Sequence, residues 1–241
     1  MTKVASAAGH PLSPGATTWA LLDANAMIPP RLGDMLFDMN EVGLYRPRWS
    51  ADIEQEFVAN FPPVVFGKTK AERKAIKERP SPEQIQAAQG RLAAFRGSAG
   101  PEHGVFGYRQ PEYRGQVPSG VDSKDVHVIA AAIVIKAYAD RLDKVYVVSA
   151  NVSHLDKGAV AKLGIEVLSP GQFIDAMAKT GDPRFEEAMA QTIRDRAGKR
   201  TFGKEDLLDR LHHVLDHFLG VAEHHHRAIH VEEFVIKARI A

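Results

Sequence analysis

Apolar positions along the chain alternate between two patterns. Short apolar runs predict buried strands at the start of 18–28, in 143–151 and at the start of 165–177. Apolar residues at helical spacing predict helices in the remaining segments, which are 29–45, 46–61, 119–140 and 154–164. Strands that alternate with helices indicate an α/β protein. We expect a mainly parallel sheet with helices on both faces, which is a three-layer α/β/α sandwich.

Capping residues mark the ends of two of these helices. Gly43 is placed to end the helix before it, since glycine readily adopts the left-handed conformation found there. Ser50 is placed as the N-cap of the next helix, because its hydroxyl can accept a hydrogen bond from a backbone N–H of the first turn. The apolar face of that helix would consist of Ile53, Phe57 and Val58.

The pattern divides the chain into three regions. Residues 1–17 are predicted to be a flexible lead-in, and they lack the apolar core of a signal peptide. Residues 18–180 carry the strand and helix alternation and form the predicted domain. A basic helical insertion and loop interrupts it at 64–118, with ten basic residues against five acidic ones and a local net charge of +5. Helical spacing then predominates over 181–241, which predicts a helical C-terminal extension.

Composition narrows the function classes. The 241 residues include no Cys, so disulfides and thiolate metal sites are excluded. Apolar runs of the roughly 18 residues that a membrane span needs do not occur, so we expect a cytoplasmic protein without a membrane partner. The formal net charge is only +1, so any attraction to a polyanion must be local.

Polar side chains collect where the predicted strands end. Asp23 closes the first strand, Glu56 lies on the helix that Ser50 caps, and Asp122 and Asp125 precede the apolar helix that follows the basic insertion. Three further candidates follow the next strand, namely Asn151, His154 and Asp156. Ligand sites in parallel sheets lie beyond the carboxyl ends of the strands. Carboxylates brought together there repel each other, and Mg²⁺ relieves the repulsion and can activate water against a phosphodiester.

Three blocks of sequence resemble successive parts of a PIN domain, and their order makes the resemblance specific. The blocks are LLDANAMIPPRLGDMLFDMNEVGLYRPRWSADIEQEF, DSKDVHVIAAAI, and VVSANVSHL followed by GIEVLSPGQF, and together they cover about residues 18–177. The similarity is to the bacterial PIN-domain toxins of VapC type. It implies an α/β/α sandwich whose acidic cluster binds Mg²⁺ or Mn²⁺ and cleaves single-stranded or structured RNA. It also implies an antitoxin protein as a partner and allows for a homodimer.

The resemblance assigns roles to individual residues. The catalytic and metal-binding acids fall on Asp23, Glu56 and Asp125, with Asp122 beside them as a further metal ligand. The place of the family's fourth acid is taken by His154. The side chains expected to support the site are Asn25, Ser149, Asn151, His154 and Asp156.

Alternatives are open at several of these positions. Glu54 could take the place of Glu56 on the same helix. Asp125 could be a helix N-cap, although Asp122 is the better candidate for that task. His127 has apolar neighbours, which favours a packed, hydrogen-bonded side chain over a metal ligand.

A histidine in place of the fourth acid keeps a second function open. The chain could be a PIN-fold nucleic-acid-binding or regulatory protein with a degraded metal site. A third reading is a structure-specific DNA nuclease, because one fold hosts several activities.

Two charged helices add further hypotheses. The basic helix of the insertion is predicted to contact RNA phosphates, although most such helices are solvated faces; its side chains are Lys70, Arg73, Lys74 and Lys77. Seven of the eleven histidines lie near the C-terminus, and His213 and His217 stand one helical turn apart, a spacing that can bind Zn²⁺. A polar helix face is the favoured interpretation of these histidines.

Overall fold

The computed structural model of the protein describes residues 17–197. The predicted lead-in up to residue 16 lies outside the described residues. So does the predicted extension from residue 198 onward, with all seven of its histidines.

The described chain alternates strands and helices as the sequence pattern predicts. The strands are β1 (Thr18–Leu22), β2 (Arg46–Ser50), β3 (Gly104–Val105), β4 (Lys144–Val148) and β5 (Glu166–Leu168). The helices are α1 (Ala24–Met27), α2 (Pro30–Glu41), α3 (Ala51–Phe66), α4 (Lys70–Glu78), α5 (Pro82–Ala99), α6 (Pro111–Arg114), α7 (Val126–Tyr138), α8 (Lys157–Ala161), α9 (Pro170–Ala178) and α10 (Arg184–Ala197). The α/β class is confirmed.

Within residues 17–197, five strands form one sheet in the order β3-β2-β1-β4-β5, and every pairing is parallel. Crossovers between parallel strands are almost always right-handed. The chain winds from β1 through β2 to β3 in one direction, then crosses to β4 and β5 in the other. Connections of opposite direction therefore place α1–α5 on one face and α6–α8 on the other, which is consistent with three layers. The direction reverses between β1 and β4, and ligands bind at such switch points in open α/β sheets.

The sequence pattern did not predict two of the strands. β2 and β3 fall in segments expected to be helical or loop-like. β2 carries Arg46 and Arg48 where a buried strand would usually be apolar. The guanidinium of Arg48 lies 4.5 Å from the ring centroid of Trp19 on β1, and Glu102 approaches it to 3.6 Å. A stacked guanidinium can cover apolar surface, so this strand is polar in sequence and still buried.

Predicted helix signals are confirmed at both marked ends. Ser50 is the N-cap of α3, and its Oγ accepts a hydrogen bond from the backbone N–H of Ile53 at 3.4 Å. Ile53 and Phe57 are fully buried, while Val58 is half-buried against the core. Gly43 follows α2 with φ +75°, the left-handed conformation that glycine adopts without strain.

The start of the predicted C-terminal extension contacts the domain. Helix α10 packs against α2, and Ala188 and Met189 are buried in the same core as the sheet. Thr192 donates a hydrogen bond from its Oγ1 to the carboxylate of Asp38 on α2. Whether a separate unit follows stays a prediction.

Two glycines in the helical layer give substitutions with opposite expected signs. A Cβ at Gly33 would lie 2.6 Å from the carbonyl oxygen of Met27 and 3.0 Å from the Phe95 ring, so Gly33→Ala is expected to destabilise the fold by about 1–3 kcal/mol. A Cβ at Gly90 meets nothing within 4 Å, so Gly90→Ala is expected to stabilise α5 by about 1 kcal/mol. Urea unfolding of both variants measures the difference. A stabilising Gly33→Ala would contradict this packing of α1 on α2.

Candidate functional site

Asp23 and Ser149 stand at the topological switch point of the sheet. Asp23 is the first residue after β1, and its backbone N–H donates to the carbonyl of Val148, the last residue of β4. Ser149 follows directly. Both side chains are buried, at 3% and 0% exposure. Because β1 and β4 are parallel neighbours, the Asp23 carboxylate and the Ser149 hydroxyl lie at adjacent carboxyl ends of the sheet.

A hydrogen-bond network fixes the orientation of the Asp23 carboxylate. Its Oδ2 accepts from Ser149 Oγ and from Asn25 Nδ2, both at 2.7 Å. The Asn25 side chain is itself held, because its Oδ1 accepts from the backbone N–H of Ala150 at 2.7 Å. Ser149 Oγ also accepts from the N–H of Asn151 at 3.0 Å. Three predicted site residues, Asp23, Asn25 and Ser149, therefore form one rigid unit, and Asn151 adds its backbone to it.

The structure separates the two candidate acids of helix α3. Glu54 is engaged in a structural network: Arg96 donates to both of its carboxylate oxygens at 2.8 and 2.5 Å, and Trp49 Nε1 donates at 2.9 Å. Although burial opposes the effect, these bonds lower the pKa of Glu54. Glu56 points elsewhere and interacts electrostatically with Asp23 and Asp125. Of the two α3 acids, Glu56 is therefore the one that interacts with the other acids of the candidate site.

Asp125 and Asp122 have different tasks from those expected. Asp125, not Asp122, occupies the N-cap position of α7, and its side chain makes no capping hydrogen bond within the described structure. Asp122 is exposed, and its Oδ1 accepts from the backbone N–H of Lys124 at 2.9 Å. The prediction that Asp122 caps the helix is wrong, because its carboxylate closes the turn that precedes the helix. The Asp125 carboxylate makes no capping bond and faces His154, at 3.6 Å.

Three carboxylates of the cluster have raised pKa values for related reasons. Burial raises the pKa of Asp23 most, and the charge of Asp125 adds to it, against the bonds from Ser149 and Ala24. Burial also raises the pKa of Glu56, together with the charges of Asp23 and Asp125. Burial and the Asp122 charge raise the pKa of Asp125. The charges of these acids act on one another, so the three acids form one electrostatic cluster.

His127 lies inside this cluster, where the sequence favoured a packed side chain. That interpretation holds for Nδ1, which is 2.8 Å from the carbonyl oxygen of Lys124. The other ring nitrogen, Nε2, is buried at 3.5 Å from Glu56 Oε1 and has no hydrogen-bond partner among the described residues. No sequence signal marks His127 as a site residue, because its neighbours on α7 are all apolar.

His154 and Asp156 follow β4 but behave differently. His154 Nδ1 lies 3.6 Å from Asp125 Oδ2, so the residue in place of the fourth acid faces a site carboxylate. Its carbonyl oxygen also accepts from the backbone N–H of Asp122 at 2.9 Å. Asp156 adopts a left-handed conformation with φ 39° and caps α8 by accepting from the N–H of Ala159 at 3.2 Å. The structure gives Asp156 a local capping role.

A further acid, Asp52, stands at the margin of the cluster and was missed by sequence reasoning. Arg109 donates to both of its carboxylate oxygens, and these bonds lower its pKa although burial opposes the effect. The charge of Asp52 also raises the pKa of Glu56. The pairing joins α3 to the loop after β3, which no local pattern could reveal.

The basic helix α4 lies away from the acids. Helix α3 starts at the carboxyl end of β2 and returns along the sheet, and α4 packs near its far end. The ten residues from Glu56 to Phe66 span about 15 Å of helix. Arg73 Nε donates to the carbonyl of Gly67 at 2.9 Å, and Lys74 pairs with Glu78. RNA contact by this helix stays a prediction.

Two properties decide whether these side chains can bind a divalent cation: the chemistry of their donor atoms and the distances between them. Carboxylate oxygens with raised pKa values and an unpartnered buried imidazole nitrogen are suitable donors. In the described residues, however, no three His, Asp or Glu side chains stand close enough to hold a metal ion. The Asp23 carboxylate accepts a hydrogen bond from Ser149, and the Asp125 carboxylate faces His154. The residues fit a cation by chemistry, and this arrangement holds the carboxylates apart.

Two aspartates predict opposite pH effects on the stability of the metal-free chain. The raised pKa of Asp23 means that the folded protein binds more protons than the unfolded chain, so its free energy of unfolding falls as pH rises from the ordinary to the raised pKa. Asp23→Asn is expected to remove that fall.

Asp143 accepts from Thr17 N and Trp19 Nε1, and such bonds lower its pKa although burial opposes them.

The stabilisation by Asp143 is present above its ordinary pKa and is lost as pH falls through the lowered one. Asp143→Asn is therefore expected to be less stable than wild type at about pH 7, with the gap closing in acid. Thermal unfolding in EDTA between about pH 3 and pH 8 measures both effects. An Asp23→Asn variant with the pH dependence of wild type would contradict the role of Asp23.

Comparisons with protein-family models, with curated proteins and with solved structures find no match for this chain. Within residues 17–197, none of the helices combines the length and apolar character that crossing a membrane requires.

Proposed function

We propose that this chain is a divalent-cation-dependent endoribonuclease of the PIN class, acting as the cytoplasmic toxin of a toxin–antitoxin pair. The observation that carries the proposal is the electrostatic cluster of Asp23, Glu56 and Asp125. These acids come from a strand end, a helix and a helix start that are distant in sequence, and they match the order of the PIN-like blocks. The five-stranded parallel sheet with its switch point beside Asp23 supports the same proposal.

The chain's own residues divide the work. Ser149 and Asn25 hold the Asp23 carboxylate in one orientation, so that acid is pre-organised. Glu56 and Asp125 complete the acidic edge from α3 and from the start of α7. A Mg²⁺ or Mn²⁺ ion bound by these acids would supply an activated water and stabilise the leaving oxygen of a phosphodiester. Cations must also lie along the path of the RNA. Arg109 beside Asp52 is near the acids, and the side chains of α4, beyond the far end of α3, would contact phosphates farther along the strand.

A second function is favoured by a specific observation. Glu56 faces His127 and Asp125 faces His154, and no three donors gather within the described structure. A PIN-like protein that binds nucleic acid without cutting it would have such internally paired carboxylates. The nuclease would need a bound cation to cleave RNA, whereas the binding protein would bind nucleic acid without cleaving it in any cation.

One experiment separates these proposals. The purified full chain is incubated with a pool of single-stranded RNA, and separately with structured DNA, in Mg²⁺, in Mn²⁺ and in EDTA. We expect RNA cleavage that needs the cation. Glu56→Gln is expected to lower the rate by about 100-fold or more, since it removes a metal ligand. Glu54→Gln is the matched control, two residues away on α3, and should lower stability while cleavage at low temperature stays near wild type.

Each other result favours a different function. RNA binding without cleavage in any cation would support the regulatory protein. Cleavage of structured DNA alone would support the DNA nuclease. Loss of RNA cleavage in Glu54→Gln but not in Glu56→Gln would show that the wrong α3 acid has been assigned.

A further inference from the structure

Phe106 is the most exposed of the large apolar side chains in residues 17–197, at 82%. It directly follows β3, so it lies at the edge of the sheet where the carboxyl ends of the strands meet. The other large apolar side chains that are exposed in this part of the chain end α3, end α7 or precede β4, which places them towards the opposite edge; they are Val64, Phe66, Tyr138 and Leu142. The Phe106 ring is therefore a separate feature of the edge that carries the acids.

The register of the sheet gives the distance between Phe106 and the acids. Leu21 pairs with Arg48, and Ser50 pairs with Val105, so Asp23, Ser50 and Val105 are level across β1, β2 and β3. Neighbouring strands lie about 4.8 Å apart, which places the Cα atom of Val105 about 10 Å from that of Asp23. Phe106 is the next residue. A short oligonucleotide can span this distance.

The ring is held in place from two sides. A Cβ at Gly104 would lie 2.9 Å from Phe106 Cζ, so the far end of the ring occupies the space that a side chain at position 104 would need. The loop after the ring is bound to the start of α3. The hydroxyl of Tyr108 accepts from the backbone N–H of Asp52 at 3.4 Å, and Arg109 donates to both carboxylate oxygens of Asp52. The exposed ring is thus pre-organised.

The size and surroundings of the ring favour a planar occupant over a protein surface. A stable protein interface buries about 800 Å² on each partner, whereas a phenylalanine side chain supplies about 150–250 Å². The exposed side chains next to it in the loop, Arg109 and Gln110, are polar. Arg109 is 63% exposed, and its guanidinium has more N–H donors than its bonds to Asp52 use. An aromatic face beside a cation is the combination that binds single-stranded nucleic acid.

We propose that Phe106 is a stacking platform for an unpaired base of single-stranded RNA, beside the acidic edge where the phosphodiester would be cleaved. The proposal rests on the proposed function and deepens it by naming the form of the substrate. Stacking accepts any base, because every base has a π-face, so the platform requires an unpaired strand and little sequence preference. A base inside a duplex is covered on both faces and would not reach the ring.

Binding of a short labelled oligoadenylate to the full chain in EDTA tests the platform without cleavage. Phe106→Ala is expected to weaken binding about tenfold, the typical contribution of one stacked base. Phe106→Tyr should bind like wild type, whereas Phe106→Leu, which keeps apolar volume but has no π-face, should bind almost as weakly as Phe106→Ala. Leu142→Ala is the matched control, since Leu142 is 77% exposed near the opposite edge, and it should bind like wild type.

Gly104→Ala tests the pre-organisation of the ring separately. The added Cβ displaces the ring and leaves the aromatic side chain in the protein, so a loss of affinity smaller than that of Phe106→Ala is expected. The thermal unfolding of all these variants is measured alongside. Because Phe106 is exposed, its variants should unfold at the temperature of wild type, which separates a loss of stacking from a loss of structure.

Phe106→Trp reports stacking directly, because a base stacked on an indole quenches its fluorescence. Oligoadenylate should quench this variant more than it quenches wild type, whose tryptophans are Trp19 and Trp49. The same strand paired with oligouridylate should quench far less. Quenching by oligodeoxyadenylate and not by oligoadenylate would overturn the assignment to RNA.

Four further results would overturn the platform. These are a wild type that does not bind oligoadenylate, a Phe106→Ala variant that binds like wild type, a Phe106→Leu variant that binds like wild type, and a Phe106→Ala variant that changes the sedimenting mass, which would assign the ring to contact with a second copy of the chain. If wild type cleaves RNA in Mg²⁺ or Mn²⁺ under any of these outcomes, the proposed function stands and only the platform fails. If Phe106 stacks on RNA that is cleaved in neither cation, the platform stands and the nuclease fails.

Discussion

Asp125→Asn is expected to reduce cation-dependent RNA cleavage by at least about 100-fold if the proposed function is right, because it removes a charge from the proposed metal site without changing the size of the side chain. Asp125 occupies the N-cap position of α7 without a capping bond, so the fold loses little when its charge is removed. A like-charge repulsion with Asp122 also disappears, so the metal-free variant should be at least as stable as wild type.

Asp122→Asn is the matched control for that experiment. The Asp122 side chain is exposed and accepts from the Lys124 N–H, and an Asn carbonyl oxygen can accept the same bond. We therefore expect only a modest loss of cleavage. Initial rates on the same RNA pool, at saturating Mg²⁺ and Mn²⁺, compare the two variants. Equal rates for wild type and Asp125→Asn would show that the active site has been placed wrongly.

Phe57→Ala is expected to cost about 3–5 kcal/mol of folding free energy, the largest effect on stability that we predict. Phe57 is fully buried, and its ring packs against Phe61 at 5.3 Å and edge-on against Phe95 at 5.9 Å between centroids. It anchors the turn of α3 that carries Glu56. Stability and site geometry are therefore coupled through this side chain.

Phe66→Ala provides the comparison on the same helix. Phe66 is 42% exposed and touches Phe61 at its outer side, so its loss should cost about 1 kcal/mol. Urea unfolding with a shared slope gives both differences. Similar losses for the two variants would mean that the core does not extend from the sheet through α3 to α5 as described.

The sequence predicted the parts of the site that depend on chain order. A short run of apolar residues ending in Asp23 indicates a buried strand with a polar end, and the alternation of such runs with helices indicates a parallel sheet. Carboxyl ends of parallel strands share one edge, so Asp23 and Ser149 had to be near each other once β1 and β4 paired. Ser50 and Gly43 are similar cases, because their capping depends on backbone groups within a few residues.

Tertiary structure alone decided what each polar side chain faces. Glu54 and Glu56 are two residues apart on one helix. Only the positions of Arg96, Trp49 and His127 distinguish the structural acid from the acid of the candidate site. The sequence pattern did not predict β2, because its arginines look exposed. Arg48 is buried only by stacking on Trp19, and that contact forms only when β1 and β2 lie side by side. His127 looked like packing for the same reason. Sequence fixes periodicity and local capping, whereas partners distant along the chain set the electrostatics of a site, and they meet only when the sheet has formed.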